Sequence, residues 1–243
     1  MTSLPTGSGA FRTTHWTMIL EAARPEGAGA REAFAQLYLD YWPPLYSYVR
    51  RRGHASADAE DITQHFFERV LEKQALANLQ QDGGKFRSFL IRAMKNFLAN
   101  EWDRAHAQKR GGGQTLLSLN ADEGETCFVA LEPSHDATPE SLFEKQWVLT
   151  LLDHVTQRLR EEQPAPKAGL FEDLRLHLQG DRSGAPYADI AAKHGISEGA
   201  IKVAVHRLRH RYGIILREEI ARTVSGPEEV DEELSHLIRV ISQ

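Results

Sequence analysis

The stretch Tyr187–Tyr212, YADIAAKHGISEGAIKVAVHRLRHRY, decides how the second half of this chain is read. Two helices that cross at a tight turn need three things. The first helix needs a small residue where the second comes close. The turn needs a residue at ease in left-handed backbone, which glycine adopts without a Cβ penalty. The second helix needs a branched apolar residue to lock the pair. Ala191, Gly195 and Ile201 supply these in order. Ser197 is placed to cap the second helix. Within that helix Ile201, Val205, Leu208 and Tyr212 share one inward face. Lys202, His206, Arg207 and Arg209 are left for solvent or for DNA. The pattern predicts a helix-turn-helix, whose second helix enters the major groove. Phosphate contacts would come from the basic side chains and base-edge contacts from residues 197–206. An ordinary helical hairpin is the alternative; spacing and charge together favour DNA.

Charge is patterned along the rest of the chain. The whole carries a formal net charge of −5, from 34 acids and 29 bases in 243 residues. Residues 85–110 hold seven bases against Glu101 and Asp103, and residues 195–217 hold five against Glu198. Between them, residues 111–181 hold thirteen acids and five bases. The tail from Glu218 holds seven acids and two bases. Basic helix faces are candidate phosphate surfaces even in an acidic protein, because binding releases condensed counterions. Solvated helix faces are the bland reading of the same runs.

Working outward, apolar residues recur at helical spacing almost throughout, and strand signals are nearly absent. Arg31–Asp40 reads as a helix that Pro43 and Pro44 stop or kink, since proline has no N–H to donate. Leu45–Arg52 resumes it, and Gly53 ends it. Ser56 opens the next helix, with Asp58, Glu60 and Asp61 at its positive end. Residues 85–110 form a long helix with Phe86, Phe89, Leu90, Ala93, Phe97 and Trp102 along one stripe. Gly111–Gly113 starts the main break in composition. Thr138-Pro139-Glu140 opens a further helix, and Leu142, Leu149, Leu152, Val155 and Leu159 form its stripe. The expected fold is all-α. Two small helical domains, over 28–110 and 138–224, are joined by a flexible linker over 111–137. An N-terminal extension (1–27) and an acidic amphipathic helix (225–243) flank them.

Several classes are set aside. The single cysteine, Cys127, cannot form an intrachain disulfide. No apolar run approaches the ~20 residues of a membrane span. Residues 1–10 lack the features of a signal peptide, so a cytoplasmic protein is the default. His206 and His210 lie one turn apart, but no HExxH, CxxC or carboxylate–histidine cluster accompanies them, and no metal or other cofactor is expected. With no GxxxxGK[ST], GxSxG or strand-linked GxGxxG, an enzyme reading has no catalytic residues to rest on.

The helix-turn-helix resembles the C-terminal domain of bacterial RNA polymerase sigma factors of the extracytoplasmic-function (ECF) class, within the sigma-70 family. The first half resembles them independently. Asp58-Ala-Glu-Asp-Ile-Thr-Gln64, continuing to Phe67-Glu-Arg-Val70, is similar to the family's region 2 helix. Lys85-Phe86-Arg87-Ser-Phe89-Leu90-Ile-Arg92-Ala-Met-Lys95-Asn96 is similar to the helix after it. Region 2, linker and region 4 together span about 30–222. The sequence departs from the family at His65, where glutamate is usual, and at Asn100, where aspartate is usual. Val203-Ala204 follow Lys202 in place of Ser-Arg. Residues 163–184 lack the usual Pro-x-x-x-Arg lead-in. These departures imply a divergent branch with its own promoter preference.

The resemblance implies a non-enzymatic subunit that brings core RNA polymerase to promoter DNA and helps melt it. Asp61, Gln64 and Glu68 would meet the polymerase β′ coiled coil, and the region-4-like domain would meet the β flap. Lys85, Arg87, Arg92, Lys95, Asn96 and Arg104, with the loop 74–85, would meet the −10 element. Ser197, Glu198, Lys202, Val203, His206, Arg207 and Arg209 would meet the −35 element. An anti-sigma protein is a further candidate partner. The competing readings are a helix-turn-helix regulator without a sigma role and a protein-only adaptor. In the tail, Val230, Leu234, Leu237, Ile238 and Ile241 form an apolar stripe. The favoured expectation is that it packs on its own C-terminal domain. The alternative is that it masks the recognition helix or a polymerase-binding face.

Overall fold

The structure is a computed structural model, and the residues it describes are 29–72, 86–107, 125–126, 128–129, 131, 137–164, 168–178, 184–224 and 226–242. Among them there is no strand, and the fold is all-α. The helices are α1 (Ala30–Arg51), α2 (Ser56–Glu72), α3 (Phe86–Ala107), α4 (Pro139–Glu161), α5 (Ala168–Leu174), α6 (Tyr187–His194), α7 (Glu198–Ala221) and α8 (Val230–Ile241). The loop 74–85 and most of the expected linker lie outside the described residues. Two compact units emerge: a first within Thr14–Thr150 and Ala221–Gln243, and a second of Leu151–Ile220. The boundary therefore falls inside α4. Residues 139–150 and 226–242, read from sequence with or beyond the C-terminal domain, group with the first unit.

The first unit is built on aromatic packing. Leu37, Tyr41, Trp42, Leu45, Tyr46, Tyr48 and Val49 of α1 are buried, as are Phe66, Phe67 and Val70 of α2. Phe86, Leu90, Met94, Phe97 and Leu98 of α3 join them. Phe66 meets Phe97 edge-on at 5.7 Å, and Tyr41 meets Phe86 at 5.2 Å. Such pairs contribute about 0.5–1.5 kcal/mol each beyond the area they bury. This packing bears on one expectation: Pro43 and Pro44 do not stop α1, which continues through them. Each proline deprives the carbonyl four residues earlier of its usual donor. The helix holds because its surroundings do: Pro44 is buried, and Trp42 stacks on Tyr46 at 5.0 Å. Gly53, at φ +96°, lies just past the helix end in left-handed backbone.

The expected linker is not free throughout. Glu125 accepts hydrogen bonds from Arg50 Nε and Nη2, both at 2.9 Å, and from the Tyr46 hydroxyl at 2.5 Å. The Arg50 guanidinium also lies over the Phe128 ring at 5.0 Å. Arg50 holds the Glu125 carboxyl down at about 2, while burial, with Glu125 beside it, pushes the Tyr46 phenol up to about 12. Nothing in the local sequence marks Glu125 for this role, because its partners are more than 70 residues away.

The second unit has two apolar clusters that share Leu208. Leu174, Ile190, Ala191, Ile201 and Val205 form one, and Val155, Leu159, Phe171 and Ile215 the other. Arg158 of α4 pairs with Glu219 at 2.7 Å and Glu218 at 2.5 Å of α7, clamping the two helices inside this unit. Of the stripe expected on α4, Leu142, Val155 and Leu159 are buried while Leu149 is 38% exposed.

The Glu125 socket has a pH signature. A carboxyl depressed from 4.5 to about 2 adds stability that is complete above pH ~4.5 and lost as pH falls through about 2. Urea titrations should show wild type more stable than Glu125→Gln at neutral pH, with the gap narrowing below pH ~4.5. A gap independent of pH would contradict this.

Candidate nucleic-acid interface

The helix-turn-helix folds as its residues dictate. Gly195 closes α6 at φ +64°, and the Ile196 N–H returns to the Ala191 carbonyl at 3.1 Å. Ala191 is 6% exposed, which brings the helices close, and Ile201 is fully buried. Ser197 Oγ accepts from the Ala200 N–H at 3.2 Å, the cap expected of it. On α5, Asp173 accepts from Lys193 at 2.7 Å and pairs with His194 at 2.5 Å, securing the end of α6. Lys193 and His194 hold the Asp173 carboxyl below the usual carboxylate range.

Ser197, Glu198, Lys202, Val203, His206, Arg207 and Arg209 are all exposed on this unit. They are not equivalent. Lys202 pairs with Glu198 at 2.8 Å one turn back, and this pairing raises the lysine pKa. Arg209 donates Nε and Nη2 to the His177 carbonyl at 3.0 and 2.6 Å, so its guanidinium is already used in bracing the fold. Arg211 is tied to Glu162 at 2.6 Å. Val203 is 50% exposed on the outer face. One turn earlier, a Cβ on Gly199 would meet only Ser197 Oγ, at 3.8 Å, so the backbone there is open to close approach.

On the first unit Arg92, Lys95 and Asn96 are exposed along α3. Lys95 pairs with Glu140 at 2.7 Å. Lys85 and the Arg104 side chain lie outside the described residues. Arg87 is placed quite differently from the other basic candidates. It is 3% exposed, paired with Glu144 of α4 at 3.1 Å and Glu233 of α8 at 2.5 Å, with the Trp147 ring 4.5 Å from the guanidinium. On α2, Asp61 is exposed, and Gln64 Nε2 donates to Glu68 Oε1 at 3.2 Å, both side chains half-buried. Phe97 is buried in the core, while Phe89 stacks on Phe86 at 5.9 Å. Among the described residues no group of His, Cys, Asp and Glu could hold a metal ion, and no helix is long and apolar enough to cross a membrane.

The sigma-70 region 2 profile matches residues 37–108, which hold most of α1, all of α2 and all of α3. Residues 37–108 are thus similar to a sigma-70 region 2 domain, and the chain is also similar to a sigma factor of the ECF class. The ECF RNA polymerase sigma factor BldN of Streptomyces coelicolor is 25% identical over 189 residues. That alignment covers 78% of this chain and 62% of the relative's length. No solved structure matches the chain.

Replacing Gly195 by Ala puts a Cβ on left-handed backbone, a cost of about 1 kcal/mol. Chemical denaturation should show that loss for Gly195→Ala and a smaller one for Gly195→Asn. Equal stability of all three would contradict the turn geometry.

Proposed function

We propose that this chain acts as a sigma factor: it binds core RNA polymerase, recognises a two-part promoter and assists its melting. The observation that carries this is the presence, in one chain, of a region 2 domain and a helix-turn-helix whose second helix leaves basic side chains exposed. On this reading residues 28–110 hold the polymerase and −10 functions, and the helix-turn-helix within 138–224 holds the −35 function. The work takes place in the cytoplasm, where core polymerase is found, and an anti-sigma protein could act on either unit.

Each step follows from ordinary chemistry. Asp61, Gln64 and Glu68 present acidic and amide groups suited to a basic helix such as the β′ coiled coil, while the helix-turn-helix unit rests on the β flap. In the major groove, Lys202 and Arg207 approach phosphates, and binding to them breaks the Lys202–Glu198 pair. Glu198, once freed, can accept from a cytosine amino group, and Val203 can cover a thymine methyl. Gly199 lets the helix lie close enough for so short a side chain to reach. At the −10 element Arg92, Lys95 and Asn96 hold a single strand by charge and hydrogen bonding, after unstacking that costs a few kcal/mol.

Run-off transcription with core polymerase on a promoter library tests this reading. Transcripts should depend on the chain, and their absence on every template would overturn it. In duplex binding, Lys202→Ala with Arg207→Ala should flatten the log affinity–log salt slope by about 0.9 for each phosphate no longer neutralised. Uracil in place of thymine in the upstream element should weaken wild type about fourfold, the worth of one methyl, and leave Val203→Ala unchanged. An unaltered salt slope would remove α7 as the DNA-binding helix.

A further inference from the structure

Arg87 lies within the segment whose charge is proposed to meet the −10 strand, yet its guanidinium is enclosed by Glu144, Glu233 and Trp147. One wall of that enclosure, Glu233, comes from the last helix of the chain and is 1% exposed. The orientation of α8 is informative. Its apolar stripe would, by itself, turn Val230, Leu234, Leu237, Ile238 and Ile241 inward. Instead Val230, Leu237 and Glu233 are buried, while Ile238 is 53% and Ile241 40% exposed. The helix is rolled toward its acid, at the expense of apolar burial. His236 also approaches Glu144, at 3.4 Å. A helix of this length is marginal alone and holds its shape only while docked. Asp231 and Glu232 remain exposed at its start.

We propose that α8 is an intramolecular acidic ligand that competes with single-stranded DNA for Arg87. Docked, its Glu233 carboxylate takes the place a phosphate would occupy and keeps the guanidinium out of reach. Displaced, it leaves the Arg87 guanidinium still against Glu144 and Trp147 of α4 but open to a phosphate on the side that Glu233 held. DNA and α8 are then mutually exclusive, and by linkage each weakens the other. The inference rests on the reading of α3 as the −10 element's binding helix. It adds that the chain restrains its own DNA affinity through its C-terminal helix, and it locates the restraint on α3, away from the recognition helix.

The test uses the full-length chain and a fluorescein-labelled, mixed-sequence single-stranded oligodeoxynucleotide, titrated over a range of salt. Glu233→Gln removes the competing charge while keeping its shape. It should tighten binding about fivefold and steepen the salt slope by about 0.7, the value for one further phosphate neutralised on a single strand. Arg87→Gln with Glu233→Gln should return both to wild-type values. In unmodified protein, saturating oligonucleotide should speed hydrogen exchange across residues 230–241, a readout that requires no variant to fold. If Glu233→Gln lowers Tm while affinity and slope stay at wild type, and DNA leaves exchange in 230–241 unchanged, α8 is a structural strut and the proposal is overturned. If neither wild type nor a chain ending at Ser225 binds the oligonucleotide at low salt, the −10 reading itself falls and the competition falls with it.

Discussion

A guanidinium taken out of water must be answered by charge at short range, and in the first unit that demand falls on Arg87. Its partners come from helices remote in sequence: Glu144 and Trp147 from α4 and Glu233 from α8, around α3. Removing one member of a buried ion pair costs about 3–5 kcal/mol, because the other charge is left stranded. The arrangement therefore ties the start of α4 and the end of the chain to the region 2 helices. The unit that results is discontinuous in sequence, and the helix-turn-helix unit is inserted between its two parts. Both junctions of the inserted unit fall within helices, after Thr150 in α4 and after Ile220 in α7. The chain thus passes between units inside regular structure, and not through the linker read from the sequence.

On the proposed function, the two units divide the work by the kind of surface each offers. The second presents a short, regular face in which a glycine, a valine and several cations are held at helical spacing by a core of Ile201, Val205 and Leu174. Rigidity there suits the reading of a duplex, whose groove is already formed. The first presents a basic helix over an aromatic core, with one of its cations withheld. Melted DNA is flexible and has no fixed groove. Its capture depends more on the number of available charges than on their placement, and in the proposed competition α8 alters that number by one.

Much of this was legible in the sequence where local chemistry decides. Ala191, Gly195, Ser197 and Ile201 act within one motif, and each has the role its residue type predicts. Thr138 caps α4 through the Ser141 N–H at 3.1 Å, as its place before proline implies. What the sequence concealed depends on distant packing. Pro43 and Pro44 read as a break, and only the buried aromatic surroundings carry α1 through them. Arg87 looks like any other base on a basic helix. Glu233 looks like one of three acids in a first turn, and its burial reverses the ordinary expectation that Ile238 would be the inward residue. Glu125 sat in a stretch with no periodicity at all. In each case the missing information was a partner far away in the chain, or the collective packing of a core.

Direct titration of fluorescently labelled chain with purified core RNA polymerase measures the association that the proposed function requires. Saturable binding is expected in the absence of DNA, weakened by reversing charge on α2 with Asp61→Arg and Glu68→Arg, and unchanged by Lys202→Ala. A chain that binds duplex DNA through α7 but shows no association with core polymerase would contradict it.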